Sequence, residues 1–311
     1  MSVSHRATNP QGLIQRRLGV SVPPGLQLQR LEAYLELTKP RITGLVLVTT
    51  AAGFYMASSA TIDLAVFFHV LLGTAIVAAA SAVLNQFLER ESDAKMERTS
   101  GRPLPSGRLE ANRVLWFGLL LATGGVLYLL AFTNVLAATL AALTAALYVL
   151  LYTPLKKKTS FCTTVGAFPG AIPPLIGWAA LRGELNLQAL TLFAILFFWQ
   201  FPHFLAIGWR YKAEYERAGL IMLPAVDPLG RKTGRRIVFL SIALVVSSIL
   251  PWVLTLTGSV YLMGAAILGT GFLAFALRAV RPLTSSSARE LLKVTVIYLP
   301  LLLLLMVLDK A

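Results

Sequence analysis

Nine apolar stretches follow one another along this chain, near 42–59, 64–88, 113–131, 135–152, 162–181, 188–209, 236–255, 258–278 and 291–308. Each is long enough, or nearly so, to cross a hydrocarbon core of about 30 Å, which takes about 20 helical residues. Within hydrocarbon every backbone N–H and C=O must find a partner in the protein, which leaves only helices and closed barrels. The runs are apolar on all sides and do not alternate in segments of about ten, so barrel strands are excluded. The expected fold is therefore all-α, a polytopic bundle of nine transmembrane helices. Composition agrees where it matters: charged residues are 14% of the 311, against about 25% in soluble domains, too few to coat a water-facing surface. The single cysteine, Cys162, rules out a disulfide scaffold, a Cys-based zinc site and a C-x-x-C-H haem attachment.

The net charge of +14 (28 basic minus 14 acidic) would suggest nucleic acid if it formed one patch. It does not. Six Lys and Arg precede the first span, six follow the second, three the fourth, seven the sixth and four the eighth, which is 26 of the 28 on one face. Only Arg182 and Lys310 fall on the other. The positive-inside bias then puts the N-terminus and the long loops in the cytoplasm and the C-terminus outside, and nucleic acid is excluded as a partner. Residues 1–38 read as a cytoplasmic tail and 39–311 as one membrane domain. The tail has no acid before Glu32 and carries several Arg. It fits a bacterial inner-membrane protein, with a transit peptide to the mitochondrial inner membrane as the alternative.

Acids are scarce, so their placement is informative. Asn85, Glu89, Asp93 and Glu97 are spaced by four and would stack on one helical face, where like charges at i,i+4 repel. A cation among them removes the conflict, and hard oxygen ligands suit Mg²⁺ held by one or two carboxylates plus substrate phosphates. Lys95, Arg98, Arg102 and Arg108 follow directly, and guanidinium forks match diphosphate oxygens. The plainer alternative is a charged membrane-exit helix, simply solvated.

The loop after the sixth span repeats the theme. His203, Arg210 and Glu214 are separated by seven and four residues, hence on one face if the helix persists past the Pro202 kink. Gln200 and His203 are polar groups within an apolar span and need partners at that depth. For His203 the residues alone leave two readings open, a functional group and a core histidine bonded across helices. The fifth span, with Gly166, Pro169, Gly170, Pro173, Pro174 and Gly177, is expected to be irregular and leaves two readings open, close helix packing and a cavity wall, of which the wall is favoured.

With both loops in view, the chain resembles the UbiA-type intramembrane prenyltransferase superfamily, and within it the haem O synthase branch. The first superfamily motif, N-x-x-x-D-x-x-x-D, reads Asn85, Glu89, Asp93, followed by Lys95-Met96-Glu97-Arg98-Thr99 and Arg102-Pro103-Leu104. The branch is further matched by Tyr152-Thr153-Pro154-Leu155-Lys156, by the Gly166–Trp178 stretch, and by Trp199-Gln200-Phe201-Pro202-His203. Two departures stand out: Glu89 replaces the usual Asp, and the second acidic motif reads Ala213-Glu214-Tyr215 in place of Asp-Asp-Tyr.

The resemblance implies transfer of the farnesyl group of farnesyl diphosphate to a vinyl group of haem b, in a central cavity open toward the cytoplasm. It implies Mg²⁺ on Asn85, Glu89, Asp93 and Glu214. It also implies substrate contacts from Lys95, Arg98, Arg102, Tyr152, Lys156, Trp199, Gln200, His203, Lys212 and Tyr215, and haem A synthase as a pathway partner. The rivals are prenyl transfer to a quinone precursor or chlorophyllide and, further off, a secondary transporter. Against the transporter, the acids cluster at the ends of the second and sixth spans rather than at mid-membrane.

Overall fold

The computed structural model describes residues 24–59 and 61–311. The topology charges Arg6, Arg16 and Arg17 lie outside the described residues. The segment expected as tail ends in a helix, α1 (Pro24–Leu37), whose Ala33 and Leu37 are buried against Val83, Leu109 and Val114. Nine further long helices follow among the described residues: α2 (Pro40–Ala57), α3 (Leu64–Asp93), α4 (Ala111–Phe132), α5 (Val135–Leu155), α6 (Cys162–Arg182), α7 (Leu187–Arg210), α8 (Arg231–Val253), α9 (Ser259–Ala279) and α10 (Ser285–Leu308). Among the described residues there is no strand, only two isolated bridges. Eight helices, α3 to α10, are long and apolar enough to cross a membrane. The first of the nine expected spans, α2, begins with Pro40 and Arg41 and falls short of that measure.

The short connections explain the hairpins. Asp63, Asn134 and Asn186 each accept a hydrogen bond from a backbone N–H in the first turn of α3, α5 and α7 (Ala65, Ala137 and Ala189, at 2.9–3.0 Å). These N-caps satisfy donors that a helix start otherwise leaves bare. From α2 onward each helix packs on the next in chain order, and α10 returns to α7 and α2, closing a ring. Helix α6 is the most enclosed, with 72% of its membrane-length window buried against at most 50% elsewhere. Its close approach to α2 requires glycine on both sides: a Cβ on Gly53 would stand 2.0 Å from the Pro174 carbonyl oxygen, and one on Gly177 2.0 Å from that of Thr50.

The two ends of the ring differ. At one, the long connections 94–110 and 211–230 meet, where the Arg98 N–H donates to Glu214 Oε2 (3.3 Å), and the second is tied to the end of α5, where the Ile221 N–H donates to the Lys156 carbonyl (2.7 Å). Met96, Ala218, Leu220 and Met222 pack beneath them on Cys162. At the other end sit the two exceptions to the charge count, both on the last carbonyls of α2. Arg182 Nε donates to Ala57 (2.6 Å), and Lys310 Nζ donates to Tyr55 (2.6 Å) and Ser58 (2.7 Å). Cations are favourable at a helix C-terminus, so their position off the basic face follows from a structural duty.

Two expected face-sharings end early. Helix α3 stops at Asp93 and Glu97 opens a separate turn, Glu97–Ser100, so only Asn85, Glu89 and Asp93 share the face. Helix α7 runs through Pro202 but breaks at Tyr211 (φ −106°, ψ 23°) before a short helix, Lys212–Arg217. Glu214 is thereby turned off the line of His203 and Arg210.

Candidate active site

At the loop-covered end, the inner face of α3 looks into a polar chamber of about 200 Å³. Asn85, Glu89 and Asp93 line it from α3, facing Lys39, Arg98, Arg102 and Lys156. All three α3 side chains are buried, so their charges need partners, and they have them. Lys156 Nζ donates to Glu89 Oε1 at 2.7 Å, and Arg102 Nη1 to Asp93 Oδ2 at 2.5 Å. Asn85 donates to Thr153 Oγ1 (3.1 Å) and accepts from Lys39 Nζ (3.4 Å).

Burial pushes the Lys39 ammonium down to about 8, helped by Arg102 and Lys156 nearby. Burial alone would lower Lys156 too, but the Glu89 carboxylate outweighs it and holds this ammonium well above its ordinary range. Burial also raises the Tyr215 hydroxyl.

A second, apolar chamber of about 280 Å³ adjoins the first. Its walls are Val46 of α2, Ala78 and Ala82 of α3, and Gly166, Pro169, Gly170 and Pro173 of α6, with Gln200 and Phe204 of α7 opposite. The glycines and prolines of the fifth span thus supply a cavity wall, where α6 breaks at Ile172. The two chambers share Lys39, Ile42, Tyr148 and Tyr152, which form a waist. The α5 backbone widens into a π-helix over Leu147–Tyr152 at this point, a feature frequent at functional sites.

Lys39 and Tyr148 were not singled out by sequence. Lys39 counts there only as a topology charge, yet it holds a left-handed backbone (φ 47°, ψ 63°), a strained state that clusters at functional sites. The hint was a lysine directly before Pro40 at the head of a span. For Tyr148 it was the four-residue spacing to Tyr152.

Other expected residues lie elsewhere. Tyr215 lines the polar chamber, whereas Glu214 is not part of its wall and Lys95 is exposed. Lys212 points to the carbonyls of Asp227 (3.5 Å) and Pro228 (3.4 Å) and over the Trp209 ring. Among the described residues no three His, Cys, Asp or Glu side chains gather into a metal-holding group. The donor set that remains, two carboxylates and an amide, still fits Mg²⁺, which usually takes one or two carboxylates and fills its shell with water and substrate phosphate.

Trp199 and His203 face α10. Their rings stack at 4.9 Å, Trp199 Nε1 donates to the Thr295 carbonyl (2.8 Å), and His203 Nδ1 lies 2.9 Å from Thr295 Oγ1. The Thr295 hydroxyl hydrogen already goes to the Leu292 carbonyl (2.7 Å), so its oxygen can only accept. His203 therefore carries its proton on Nδ1 and presents a free lone pair on Nε2.

The profile of the UbiA prenyltransferase family matches residues 46–299. A protein named protoheme IX farnesyltransferase from Solibacter usitatus is 49% identical over 286 residues, spanning 89% of this chain and 98% of its own length. The solved structure of a digeranylgeranylglyceryl phosphate synthase superposes with a TM-score of 0.77 at 23% identity, over 90% of this chain and 98% of its own. A UbiA homologue from Archaeoglobus fulgidus bound to DMAPP and Mg²⁺ superposes with a TM-score of 0.61 at 14% identity, over 88% and 98%.

Proposed function

We propose that this chain, which belongs to the UbiA prenyltransferase family, transfers the farnesyl group of farnesyl diphosphate to a vinyl group of haem b, yielding haem O and diphosphate. The acceptor follows from the relative named protoheme IX farnesyltransferase. The observation that carries the chemistry is the pair of chambers joined at a waist. A prenyl diphosphate has a polyanionic head and an apolar tail, and threading it through the waist puts the bond between them beside Lys39, Tyr148 and Tyr152.

Lys39, Arg98, Arg102 and Lys156 receive the diphosphate and hold its charge in a water-poor site, where preorganised charge acts most strongly. Asn85, Glu89 and Asp93 would hold Mg²⁺, which supplies divalent charge that neutralises the leaving group. Glu214 acts at one remove, fixing the turn that carries Arg98 through its backbone N–H. The apolar chamber folds the farnesyl chain against the α6 wall and keeps water from its reactive carbon. As the C1–oxygen bond breaks, the electron pair leaves with diphosphate and the terminal vinyl carbon bonds to C1. The inner vinyl carbon takes hydroxide from water, whose other proton is released.

Haem b lies against α7, with Gln200 at the apolar chamber and His203 Nε2 turned to the macrocycle. The chain is one membrane domain with α2 as its ninth crossing. It sits in a bacterial inner membrane with the polar chamber toward the cytoplasm, and its product goes to haem A synthase. The test is turnover of labelled farnesyl diphosphate with haem b and Mg²⁺ by the purified protein. Farnesylated haem with one equivalent of diphosphate is expected. Prenylation of a quinone precursor with none of haem would refute the proposal.

A further inference from the structure

Away from the active site, the ends of α8 and α9 border an open, groove-like cavity of about 620 Å³. Its α8 wall is a single stripe, Arg231, Arg235, Phe239 and Ile242, at spacings of four, four and three. The stripe is cationic at the loop end and apolar below, where Phe239 is 70% exposed. Arg281 completes the basic rim from beyond the end of α9, and Leu277 faces the apolar part. None of the three arginines has an ion-pair partner among the described residues, and no acid lines the cavity. Asp227, four residues before Arg231, is buried and accepts from the Thr233 N–H and hydroxyl at 2.7 and 2.9 Å.

From Arg231 to Ile242 is 11 residues, or about 16 Å of helix at 1.5 Å per residue. That is one headgroup-to-midplane distance, half of a hydrocarbon core about 30 Å thick. A soluble anion would use the arginines and leave the apolar part bare; a neutral lipid would do the reverse. One molecule satisfies both. We infer that this cavity is a binding site for a single anionic phospholipid, its phosphate on Arg231, Arg235 and Arg281 and an acyl chain along Phe239, Ile242 and Leu277. Basic pockets between transmembrane helices are suited to such headgroups.

The experiment compares wild-type protein with two triple variants of equal net charge, in nanodiscs of dioleoyl phosphatidylcholine titrated with dioleoyl phosphatidylglycerol. One variant, Arg231→Gln/Arg235→Gln/Arg281→Gln, empties the rim. The other, Lys232→Gln/Arg236→Gln/Arg278→Gln, removes neighbouring exposed cations that do not line the cavity. Retention of phosphatidylglycerol is read by native mass spectrometry. The rim variant should lose affinity on the order of 100-fold, from three contacts each worth about fivefold, and the neighbour variant should stay near wild type. A third arm, Phe239→Ser/Ile242→Ser, should weaken retention with the arginines intact. Equal loss in both charge variants would overturn the inference, because a diffuse basic surface would then suffice. So would binding of inorganic phosphate that competes with the lipid at millimolar concentration, or full retention in the serine variant.

Discussion

Replacing Lys156 by methionine separates the stability of the polar chamber from its chemistry. The Lys156 ammonium and Glu89 carboxylate are 2.7 Å apart, and their side chains are 14% and 10% exposed. Lys156→Met strands a buried carboxylate, and breaking such a pair from one side costs about 3–5 kcal/mol. At roughly 2–4 °C per kcal/mol, unfolding should come on the order of 10 °C earlier. Adding Glu89→Gln removes the stranded charge, and neutral replacements of a buried pair are often close to harmless. The double variant should therefore recover to within about 3 °C of wild type. Both variants should be inactive, because each loses a group proposed to meet the diphosphate or its metal. Cys162 is buried, free and the only cysteine, so a thiol-reactive fluorophore reports unfolding during a thermal ramp.

The pair also sets a pH expectation. The Lys156 pKa is raised on folding, so its stabilisation is complete below the ordinary lysine value and is lost only as pH climbs past the folded one. The wild type's unfolding temperature should therefore show no step due to Lys156 between pH 6 and pH 9. If the double variant unfolds as early as Lys156→Met, the stranded carboxylate is not the cause and the reasoning fails.

Asp93→Ala should lower turnover on the order of 10²–10³-fold while the protein inserts normally. Chelation of wild type should abolish turnover until Mg²⁺ is restored, and wild-type rates in either case would remove the metal assignment. The Lys39 ammonium titrates at about 8, so kcat/KM for farnesyl diphosphate should fall above that pH as a positive charge is lost from the waist. Lys39→Arg should carry the activity further into alkali, and an unchanged alkaline limb would count against Lys39. His203→Ala should abolish the haem Soret signal with farnesyl diphosphate affinity within about twofold of wild type, and Thr295→Val should weaken haem binding by freeing the ring. Haem retained at full affinity in His203→Ala would remove His203 from the acceptor side.

The bundle was legible because hydrocarbon forces a long apolar run into a helix, whatever its neighbours. Asn85, Glu89 and Asp93 were legible for a related reason: four-residue spacing on a helix fixes a common face. What failed was continuity across breaks. Nothing in the spacing of Glu97 or Glu214 tells that α3 stops at Asp93 and that α7 stops before Tyr211. Lys39 escaped for a different reason. Its place at the waist depends on a left-handed turn and on α2 being pressed against α6 through Gly53 and Gly177, and such a tertiary contact leaves no periodic trace. The Trp199–His203 pair is an intermediate case. Polar groups in an apolar span announced a partner, but not that it would be Thr295 on α10.

The pairing of acids with bases in the polar chamber bears on how a substrate enters. Two carboxylates, Glu89 and Asp93, stand against four cations, Lys39, Arg98, Arg102 and Lys156, an excess of two positive charges in a largely buried space. Such an excess favours an anionic guest over water or a neutral one. A metal-bound diphosphate would meet both halves at once, its cation matching the carboxylates and its phosphate oxygens matching Lys156 and Arg102. Each buried charge would then exchange one opposite partner for another, and none would have to be stranded on the way, which is the costly event in a site this dry. The same argument gives the metal and the prenyl diphosphate a shared entry. A cation alone would leave Lys156 and Arg102 without partners, and a diphosphate alone would leave Glu89 and Asp93 without theirs. Mg²⁺ and farnesyl diphosphate are therefore expected to bind with positive cooperativity, each raising the affinity of the other by the same factor.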